Sequence, residues 1–395
     1  MTHMEPIRAR LNDCISQMPP SPIRELFRIA HDPAIISFAG GHPDEKLFDV
    51  DGMKAAYSHV FDTQGGRAMQ YGVTDGEWEL RQAAAQRIRG TGISAEASNV
   101  LITSGSQQGI SLLAHTLFNP GDVLLCENPT FMSALQAFGM HGIEFVAIDT
   151  DEGGIVPEAL EAAIHYYRPK ALYTIPTFQN PTGITMPASR RDHIAQVLSE
   201  SDMWLIEDDP YSELRFTDER VQPISADPRV ADRAFYLGSL SKVLSPGVRI
   251  GWIHGPDEIL ERVTVTKQGT VIQSSTIDQL AVAHYLETND LDKKLEPVRE
   301  TYRQRMRAQV DALDGVLPTG SYIAEPSGGM FVWVYLPERY DTSELVYKAI
   351  DAGVIFVPGA PFYMENPNYQ SMRLTFVSAE PDVIEEGVAR LATVF

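Results

Sequence analysis

Short hydrophobic runs alternate with amphipathic segments through the middle of the chain. The runs are rich in β-branched and aromatic residues, which is typical of strands, and most are separated by segments with helical spacing. Strands that alternate with helices indicate βαβ units and a largely parallel sheet, and therefore an α/β fold. The predicted strands cover residues 100–103, 123–126, 145–148, 172–175, 204–206 and 235–237.

The pattern differs on both sides of this region. An amphipathic helix is predicted over residues 21–29, capped by Ser21, and a short strand at 35–38 then runs into a glycine turn. Beyond residue 290 a long charged helix, 291–313, leads into further predicted strands. We therefore predict three parts, namely an N-terminal arm with part of a small domain (1–48), a large α/β domain (49–290) and a smaller α+β domain (291–395).

Polar motifs follow the ends of the predicted strands. In open α/β sheets, ligands bind at the carboxyl ends of the strands, so these motifs are candidates for one shared site. They are Ser104-Gly105-Ser106, Asn128-Pro129-Thr130-Phe131, Asn180-Pro181-Thr182-Gly183, Asp208 and Ser239.

The stretch from Ser239 to Arg249 carries the most specific chemistry. Lys242 lies among small hydroxyl residues, and a partly desolvated lysine can be neutral near physiological pH and attack a carbonyl carbon. Ser239, Ser241 and Arg249 offer donors that suit a phosphate. A reactive lysine beside a phosphate site suggests pyridoxal phosphate, which carries both an aldehyde and a phosphate. The alternative is a Ser/Gly loop with a solvated lysine.

A second anion site is predicted where Ser106 and Gln107 open a helix. Free backbone N–H groups and the helix dipole favour an anion there, and both side chains add donors. An ordinary capped turn between a strand and a helix is the alternative.

Asp208 ends a predicted strand and is the candidate partner of a protonated pyridine nitrogen. A buried carboxylate needs a positive partner, and this pairing would make the ring a better electron sink. We choose Asp208 over Asp209 because it lies three positions before Tyr211, although an acidic cap is the alternative. Asn180 and Tyr211 could donate to the ring phenolate oxygen, and Phe131 could stack on the ring face. The alternatives are that Asn180 only begins a turn and that Phe131 is a core residue.

Composition and charge limit the classes of binding partner that we expect for this chain. The chain has 395 residues with 44% hydrophobic and 22% charged residues, as in globular proteins, and its net charge of −21 argues against nucleic-acid or anionic-membrane partners. Cys14 and Cys126 are too few for a disulfide framework, which favours a cytoplasmic protein. We find no signal peptide or apolar run that could span a membrane, and we predict no metal site.

Taken in order, these motifs resemble the class I/II aminotransferases, fold type I pyridoxal-phosphate enzymes. The resemblance runs from Ile35 to Phe376, and three segments are closer still to the aminoadipate/kynurenine branch. They are Phe38-Ala39-Gly40-Gly41, Gly328-Gly329-Met330-Phe331-Val332-Trp333 and Pro358-Gly359-Ala360-Pro361-Phe362.

The resemblance implies a role for each candidate residue. Lys242 would bind the cofactor aldehyde, Asp208 the pyridine nitrogen, and Asn180 and Tyr211 the ring oxygen. Arg373 would clamp the substrate α-carboxylate beside Gly40 and Asn180. The phosphate would be bound by Ser106, Gln107, Ser239, Ser241 and Arg249, with Tyr71 reaching it from a partner subunit and Phe131 on the ring face.

The implied activity is transfer of an amino group from an L-amino acid to a 2-oxo acid, with 2-oxoglutarate expected as acceptor, in a homodimer with shared active sites. Arg24, in the predicted N-terminal helix, would meet the distal group of the substrate, and the alternative is a surface arginine paired with Glu25 or a nearby acid. Two alternatives stay open. One is another pyridoxal-phosphate reaction on the same fold, such as a lyase or decarboxylase. The other is a cofactor-binding sensor, which we expect to carry a basic DNA-binding module ahead of this fold.

Overall fold

The computed structural model describes residues 12–17, 24–30 and 32–395. Within them, the helices are α1 Asp13–Gln17, α2 Arg24–Ile29, α3 Val50–Ala68, α4 Trp78–Arg89, α5 Ser106–Leu117, α6 Met132–Gly139, α7 Pro157–Tyr167, α8 Ala188–Ser199, α9 Asp257–Val271, α10 Thr276–Thr288, α11 Leu291–Asp314, α12 Thr342–Asp351 and α13 Pro381–Ala392. The strands are β1 Ile36–Ser37, β2 Val100–Thr103, β3 Val123–Glu127, β4 Glu144–Ile148, β5 Thr150–Asp151, β6 Gly154–Ile155, β7 Ala171–Thr174, β8 Trp204–Asp209, β9 Ala234–Ser239, β10 Gly251–His254, β11 Tyr322–Ala324, β12 Phe331–Tyr335, β13 Val354–Ile355, β14 Val357–Pro358 and β15 Ser371–Thr375.

A seven-stranded sheet in the order β2-β10-β9-β8-β7-β3-β4 forms the centre of the molecule. Its strands pair in parallel except β10, which runs antiparallel to both β2 and β9. The interior strands are buried on both faces, as expected for a sheet covered by helices on each side. The α/β fold predicted from the sequence is confirmed, and the carboxyl ends of β8 and β9 lie side by side.

A second, four-stranded antiparallel sheet in the order β11-β12-β15-β14 belongs to the C-terminal part of the chain. The N-terminal segment joins this part because β1 pairs in parallel with β13, with Ile36 opposite Val354. Phe38, which follows β1, is fully buried in the largest core cluster. This pairing supports the predicted division at residues 48 and 290, which remains a prediction.

An ion pair fixes the same N-terminal segment to the long helix α11. Arg305 and Asp44 are both nearly inaccessible to solvent, and their charged atoms lie 2.9 Å apart. Arg305 also donates to the Val377 carbonyl at 2.6 Å, after β15. Buried charges are stable only when paired, so this contact holds the glycine turn that follows Phe38 against the small sheet.

Helices α3, α9 and α10 were not predicted from the sequence. Helix α10 is buried on most of its surface, so its hydrophobic residues show no single apolar stripe. Helix α3 buries only Ala56, Val60 and Ala68 and has the pair Gly65-Gly66 near its end. Periodicity is therefore a weak signal for either helix. None of the described helices is long and apolar enough to cross a membrane.

Candidate active site

Lys242 lies just beyond the carboxyl end of β9. Its Nζ donates a hydrogen bond to the Gly41 carbonyl at 2.7 Å, so the glycine turn of the N-terminal segment reaches the lysine. Burial lowers the pKa of Lys242 to about 8, and the positive charges of Arg373 and Arg249 act in the same direction. A substantial fraction of this amine is therefore neutral near physiological pH.

Arg249 and two serines form a cluster of donors beside this lysine. Ser239 and Ser241 are buried, and their hydroxyl oxygens are 3.0 Å apart. Arg249 donates to the Ser241 hydroxyl at 3.4 Å and to the Ser104 carbonyl at 2.7 Å. A guanidinium with hydroxyl groups around it matches the geometry of a phosphate.

Helix α5 begins beside this cluster. Gly105 precedes it with φ 82°, and a Cβ atom there would lie only 2.7 Å from an Arg249 nitrogen. The first N–H groups of the helix, at Ser106 and Gln107, have no intrahelical acceptor and favour an anion. The Gln107 side chain is directed elsewhere, since its amide donates to the Ser133 carbonyl at 2.9 Å. Its backbone N–H is therefore the available donor.

Asp208 is buried near the carboxyl end of β8, with 2% of its surface exposed. One carboxylate oxygen, Oδ2, accepts a hydrogen bond from the Tyr173 hydroxyl at 2.9 Å. The other, Oδ1, is buried without a hydrogen-bond partner among the described residues. Burial raises the pKa of Asp208 to about 7, and the Tyr173 hydrogen bond opposes the rise. Since a buried oxygen without a partner is costly, Oδ1 is available for a cationic donor.

Asn180, Tyr211 and Arg373 form the opposite side of the site, and all three are buried. Arg373 donates to the Asn180 side-chain oxygen at 2.8 Å. Burial raises the pKa of Tyr211, and the nearby Asn180 side chain opposes that rise. The three side chains thus form one polar network, brought together from the loop after β7, the segment after β8 and strand β15.

The Arg373 guanidinium is held on several sides. It donates to the Ala39 carbonyl at 3.0 Å, next to Gly40, and it lies 4.2 Å from the ring centre of Phe331 and 5.0 Å from that of Phe362. Its Nε has no hydrogen-bond partner among the described residues. Burial lowers the pKa of Arg373 to about 10, which leaves it charged at neutral pH. A fixed, desolvated guanidinium is suited to bind a carboxylate.

Two predicted residues, Phe131 and Tyr71, are not joined to this network among the described residues. Phe131 precedes α6 and packs, partly buried, against the second core cluster. Tyr71 is 77% exposed, and among the described residues no hydrogen bond is recorded for its hydroxyl. Arg24 is the first residue of α2, and its side chain lies outside the described part of the structure.

The family model for aminotransferase class I and II matches residues 38–391, a range that includes Lys242, Asp208 and the network of Asn180, Tyr211 and Arg373. The chain belongs to this aminotransferase family.

Named relatives agree with this assignment. The aminotransferase is 38% identical over 381 residues to aromatic-amino-acid aminotransferase 1 of Thermococcus litoralis, covering 95% of this chain and 91% of the relative. It is also similar to a crystal structure of Pyrococcus horikoshii kynurenine aminotransferase in complex with PMP, with a TM-score of 0.93 and 35% identity over 99% and 98% of the two chains. A third similarity is to a Thermus thermophilus alpha-aminoadipate aminotransferase complexed with N-(5'-phosphopyridoxyl)-L-leucine, with a TM-score of 0.91 and 34% identity over 98% of each chain.

The aminotransferase uses pyridoxal phosphate, and its residues fit that cofactor. The unpartnered Asp208 Oδ1 can accept from a protonated ring nitrogen. Arg249 with Ser239 and Ser241 matches the phosphate, and the close approach of Arg249 to Gly105 leaves no room for a side chain there. Lys242 provides an amine whose pKa is lowered to about 8, partly by the charge of Arg249. The resemblance stated from the sequence is therefore confirmed at the level of family, fold, activity and cofactor.

Several contacts of the aminotransferase site were missed from the sequence. Tyr173, on β7, donates to Asp208, but in the sequence it is simply the aromatic residue of a predicted strand. Phe331 and Phe362 flank Arg373, although from the sequence alone both would be interpreted as core residues of the small domain. The Gly41 carbonyl that accepts from Lys242 left no signal beyond its place in a glycine turn.

We expect the cofactor-free Asp208→Asn enzyme to be more stable than the cofactor-free wild type above pH 7. Folding raises the pKa of Asp208 from 3.8 to about 7, so between these values the unfolded chain loses the proton while the folded chain keeps it. The free energy of unfolding of the wild type therefore falls as the pH rises through this window, by at most about 4 kcal/mol. Urea unfolding at several pH values measures the difference.

Asp62→Asn, at an exposed side chain, is the background for loss of a carboxylate. A stability difference for Asp208→Asn that stays constant from pH 4 to 8 would show that desolvation of Asp208 is not the cause.

Proposed function

We propose that this aminotransferase moves the amino group of an L-amino acid to 2-oxoglutarate through two half-reactions at one site. The observation that carries the proposal is a buried Lys242 amine that senses the buried Arg373 guanidinium and follows the strand next to the one that carries the buried Asp208 carboxylate. Asp208 keeps one oxygen free of hydrogen bonds, and Arg373 is held by Asn180 and the Ala39 carbonyl. A cationic ring and an anionic substrate can therefore both be bound close to the same amine.

When bound, pyridoxal phosphate supplies the electron sink that allows the substrate α-carbon to lose a proton. The residues of the chain position the reactants and move that proton. With its pKa lowered to about 8, Lys242 can accept a proton as a neutral amine and return it in the same turnover. The Gly41 carbonyl, 2.7 Å from Nζ, orients the amine.

Asp208 is assigned to the ring nitrogen, with Tyr173 as the side chain that orients it. Tyr173 occupies Oδ2, so only Oδ1 is left for the ring, and the carboxylate cannot turn without breaking a buried hydrogen bond. Tyr211 and Asn180 are assigned to the ring oxygen, because both lie in the buried network that continues to Arg373.

The phosphate is assigned to the donors at the start of α5 and in the segment after β9. Backbone N–H groups at a helix start and a guanidinium bind an anion without needing to rearrange. The residues assigned are Ser106, Gln107, Ser239, Ser241 and Arg249, with Phe131 assigned to the ring face. Arg373 is assigned to the substrate α-carboxylate, with Gly40 beside it because its neighbour Ala39 accepts from the same guanidinium.

We expect Lys242→Ala to abolish transamination and to prevent covalent attachment of the cofactor. Incubation with pyridoxal phosphate, reduction with borohydride and peptide mass spectrometry locate any lysine that carried it. The matched comparison is Lys267, whose pKa burial also lowers to about 8. Its Nζ donates to the carbonyls of Thr74 and Ile102, at 2.5 and 2.7 Å, so we expect no label there. Label on Lys267 and none on Lys242 would overturn the assignment.

The functional unit is proposed to be a homodimer in which Tyr71 enters the partner's site. The segment around Tyr71 exposes a group of apolar side chains, which is typical of an interface. Their exposed fractions are 82% for Met69, 77% for Tyr71, 58% for Val73 and 52% for Ile272. The segment itself is firmly held, since Gly72 donates to the Gln273 side chain and Thr74 accepts from Lys267.

A shared site predicts a specific result when Tyr71→Ala and Lys242→Ala chains are mixed. If Tyr71 acts across the interface, one site of each mixed dimer contains both defects and the other contains neither. Equal mixing then restores about a quarter of the wild-type sites. Activity is measured after subunit exchange has been confirmed with tagged chains, and each parent alone is the control. No recovery in exchanged dimers would show that Tyr71 does not serve the partner's site.

The choice of substrate side chain is proposed to depend on Arg24. An arginine at the start of α2 could pair with a second carboxylate, as in glutamate or 2-oxoglutarate, and move aside for an apolar group. The names of the relatives support a broad choice, since they include aromatic and aminoadipate enzymes, one of them complexed with a leucine derivative. A cytoplasmic location also remains a proposal, in agreement with two free cysteines.

We expect Arg24→Ala to weaken kcat/KM for glutamate by about 1.5–3 kcal/mol, the range for a hydrogen bond to a charged group. For leucine or phenylalanine we expect little change in their own half-reaction. Half-reaction spectra with each donor provide the measurement, and they also separate transamination from lyase or decarboxylase chemistry. Arg28→Ala removes the same charge from the same helix and is the control. An equal loss for all donors would reduce Arg24 to a structural role.

A further inference from the structure

A cavity of about 730 Å³ lies outside the site described above. Its wall comes from α4, the loop after β7, the segment after β8 and the start of α11, and none of Lys242, Asp208, Arg249 and Arg373 contributes to it. The volume lies within the range of small-molecule sites, about 300–1,000 Å³. We call it the junction cavity, and its principal wall residues are Gln86, Arg87, Phe178, Arg215, Arg220 and Asp292.

Positive charge is in excess at one end of the junction cavity. Arg215, Arg220 and Arg299 all approach the single carboxylate of Asp292. Arg299 and Arg220 both donate hydrogen bonds to that carboxylate, Arg220 at 3.3 Å, whereas Arg215 lies 3.6 Å from it, beyond ordinary hydrogen-bond distance. Three guanidinium groups thus share one carboxylate.

Arg215 is the least satisfied of the three. Its side chain is only 12% exposed, and its guanidinium has no contact with a carboxylate other than Asp292 among the described residues. Burial lowers the pKa of Arg215, and the neighbouring charges of Arg299 and Arg220 lower it further. A buried cation with a shared, distant partner is costly, and an added anion would offset that cost.

The other carboxylates of the wall do not neutralise these arginines. Glu213 pairs with Arg87, and Asp209 accepts from the Tyr236 hydroxyl at 2.6 Å and from a backbone N–H. Asp290 caps α11 and pairs with Lys293 at 3.3 Å. Glu219 is exposed to solvent. At this end of the cavity three guanidinium groups therefore share the one negative charge of Asp292, and Arg215, whose contact with that carboxylate is the longest, is the least compensated.

The remaining wall offers an apolar surface and hydroxyl groups. Phe178, Leu286 and Leu291 contribute the larger apolar side chains, and Thr91 and Ser212 contribute hydroxyls. An anion with a short apolar body would satisfy both kinds of surface, whereas a simple inorganic ion would use only the charged end.

The junction cavity touches the connection between the two sheets. Arg215 forms a β-bridge with Gly328, and Gly329 donates to the Leu214 carbonyl at 2.9 Å. The ring of Phe178 packs so closely on Gly328 and Gly329 that neither position has space for a Cβ atom. Strand β12 begins two residues later with Phe331, the ring beneath Arg373.

We propose that the junction cavity is a second ligand site, distinct from the active site, which binds a small organic dianion with a short apolar body through Arg215 and Arg220. A ligand there would join α4, α11 and the segment paired with Gly328, and would stabilise the folded enzyme by mass action.

Isothermal titration of the cofactor-loaded enzyme at constant ionic strength tests the site. The probes are benzene-1,3-dicarboxylate, phenyl phosphate and inorganic phosphate. We expect at least one aromatic dianion to bind more tightly than inorganic phosphate and to raise the thermal midpoint. The stronger of the two aromatic probes identifies a carboxylate or a phosphoryl group as the preferred anion.

Two variants locate the binding. We expect Arg215→Gln and Arg220→Gln to weaken the aromatic probe about tenfold or more, as for loss of a charged hydrogen bond. Arg220 is half exposed, so its variant tests the site even if Arg215→Gln folds poorly. Arg373→Lys removes the contribution of the active site, which also binds carboxylates, and we expect the binding that depends on Arg215 and Arg220 to persist in it. If no probe binds, or if binding depends on Arg373 but not on Arg215 and Arg220, the proposal is wrong.

Discussion

The site depends on a carboxylate that the fold buries without a hydrogen-bond partner for one of its oxygens. Asp208 lies near the carboxyl end of β8, where Tyr173 donates to one carboxylate oxygen and no described residue donates to the other. The surrounding sheet places this unsatisfied group where only a bound cation can compensate it, so the folded chain gives up stability to obtain specificity. Lys242 and Arg373 are likewise desolvated cations, with pKa values lowered to about 8 and about 10. Burial prepares all three groups for ligands.

Two parts of the chain must meet for the site to be complete. Lys242 and Asp208 come from the large sheet, whereas Arg373 lies on β15 of the small sheet, and Ala39 and Gly41 belong to the N-terminal turn. The turn is fixed by the β1–β13 pairing and by the buried Arg305–Asp44 ion pair. The junction cavity lies beside the connection between the same two sheets, so the proposed ligand would act on the contact between the parts that carry Lys242 and Arg373.

How much of the site could be predicted varied with the kind of residue. Lys242, Asp208, Asn180, Tyr211 and Arg373 were predicted because each carries a distinctive group at a strand end or in a specific motif. The Asp208 choice over Asp209 is supported by the alternation of the strand, since Asp209 is directed to Tyr236 on the opposite face. Gln107 was predicted as a side-chain donor, yet its amide donates to the Ser133 carbonyl. That preference depends on how α6 packs near α5, which no local pattern encodes.

The sequence alone determined the fold class, the family and the cofactor, because the alternation of strands and helices and the order of the motifs are visible in the order of the residues. The tertiary structure alone decided which groups lack partners. Tyr173 holds Asp208 because β7 and β8 are adjacent in the sheet, and Phe331 supports Arg373 because β12 pairs with β15. Arg215, Arg220 and Arg299 converge on Asp292 only after α11 packs against the segment that follows β8. Burial and convergence depend on contacts between residues distant in sequence, so they appear only when the chain has folded.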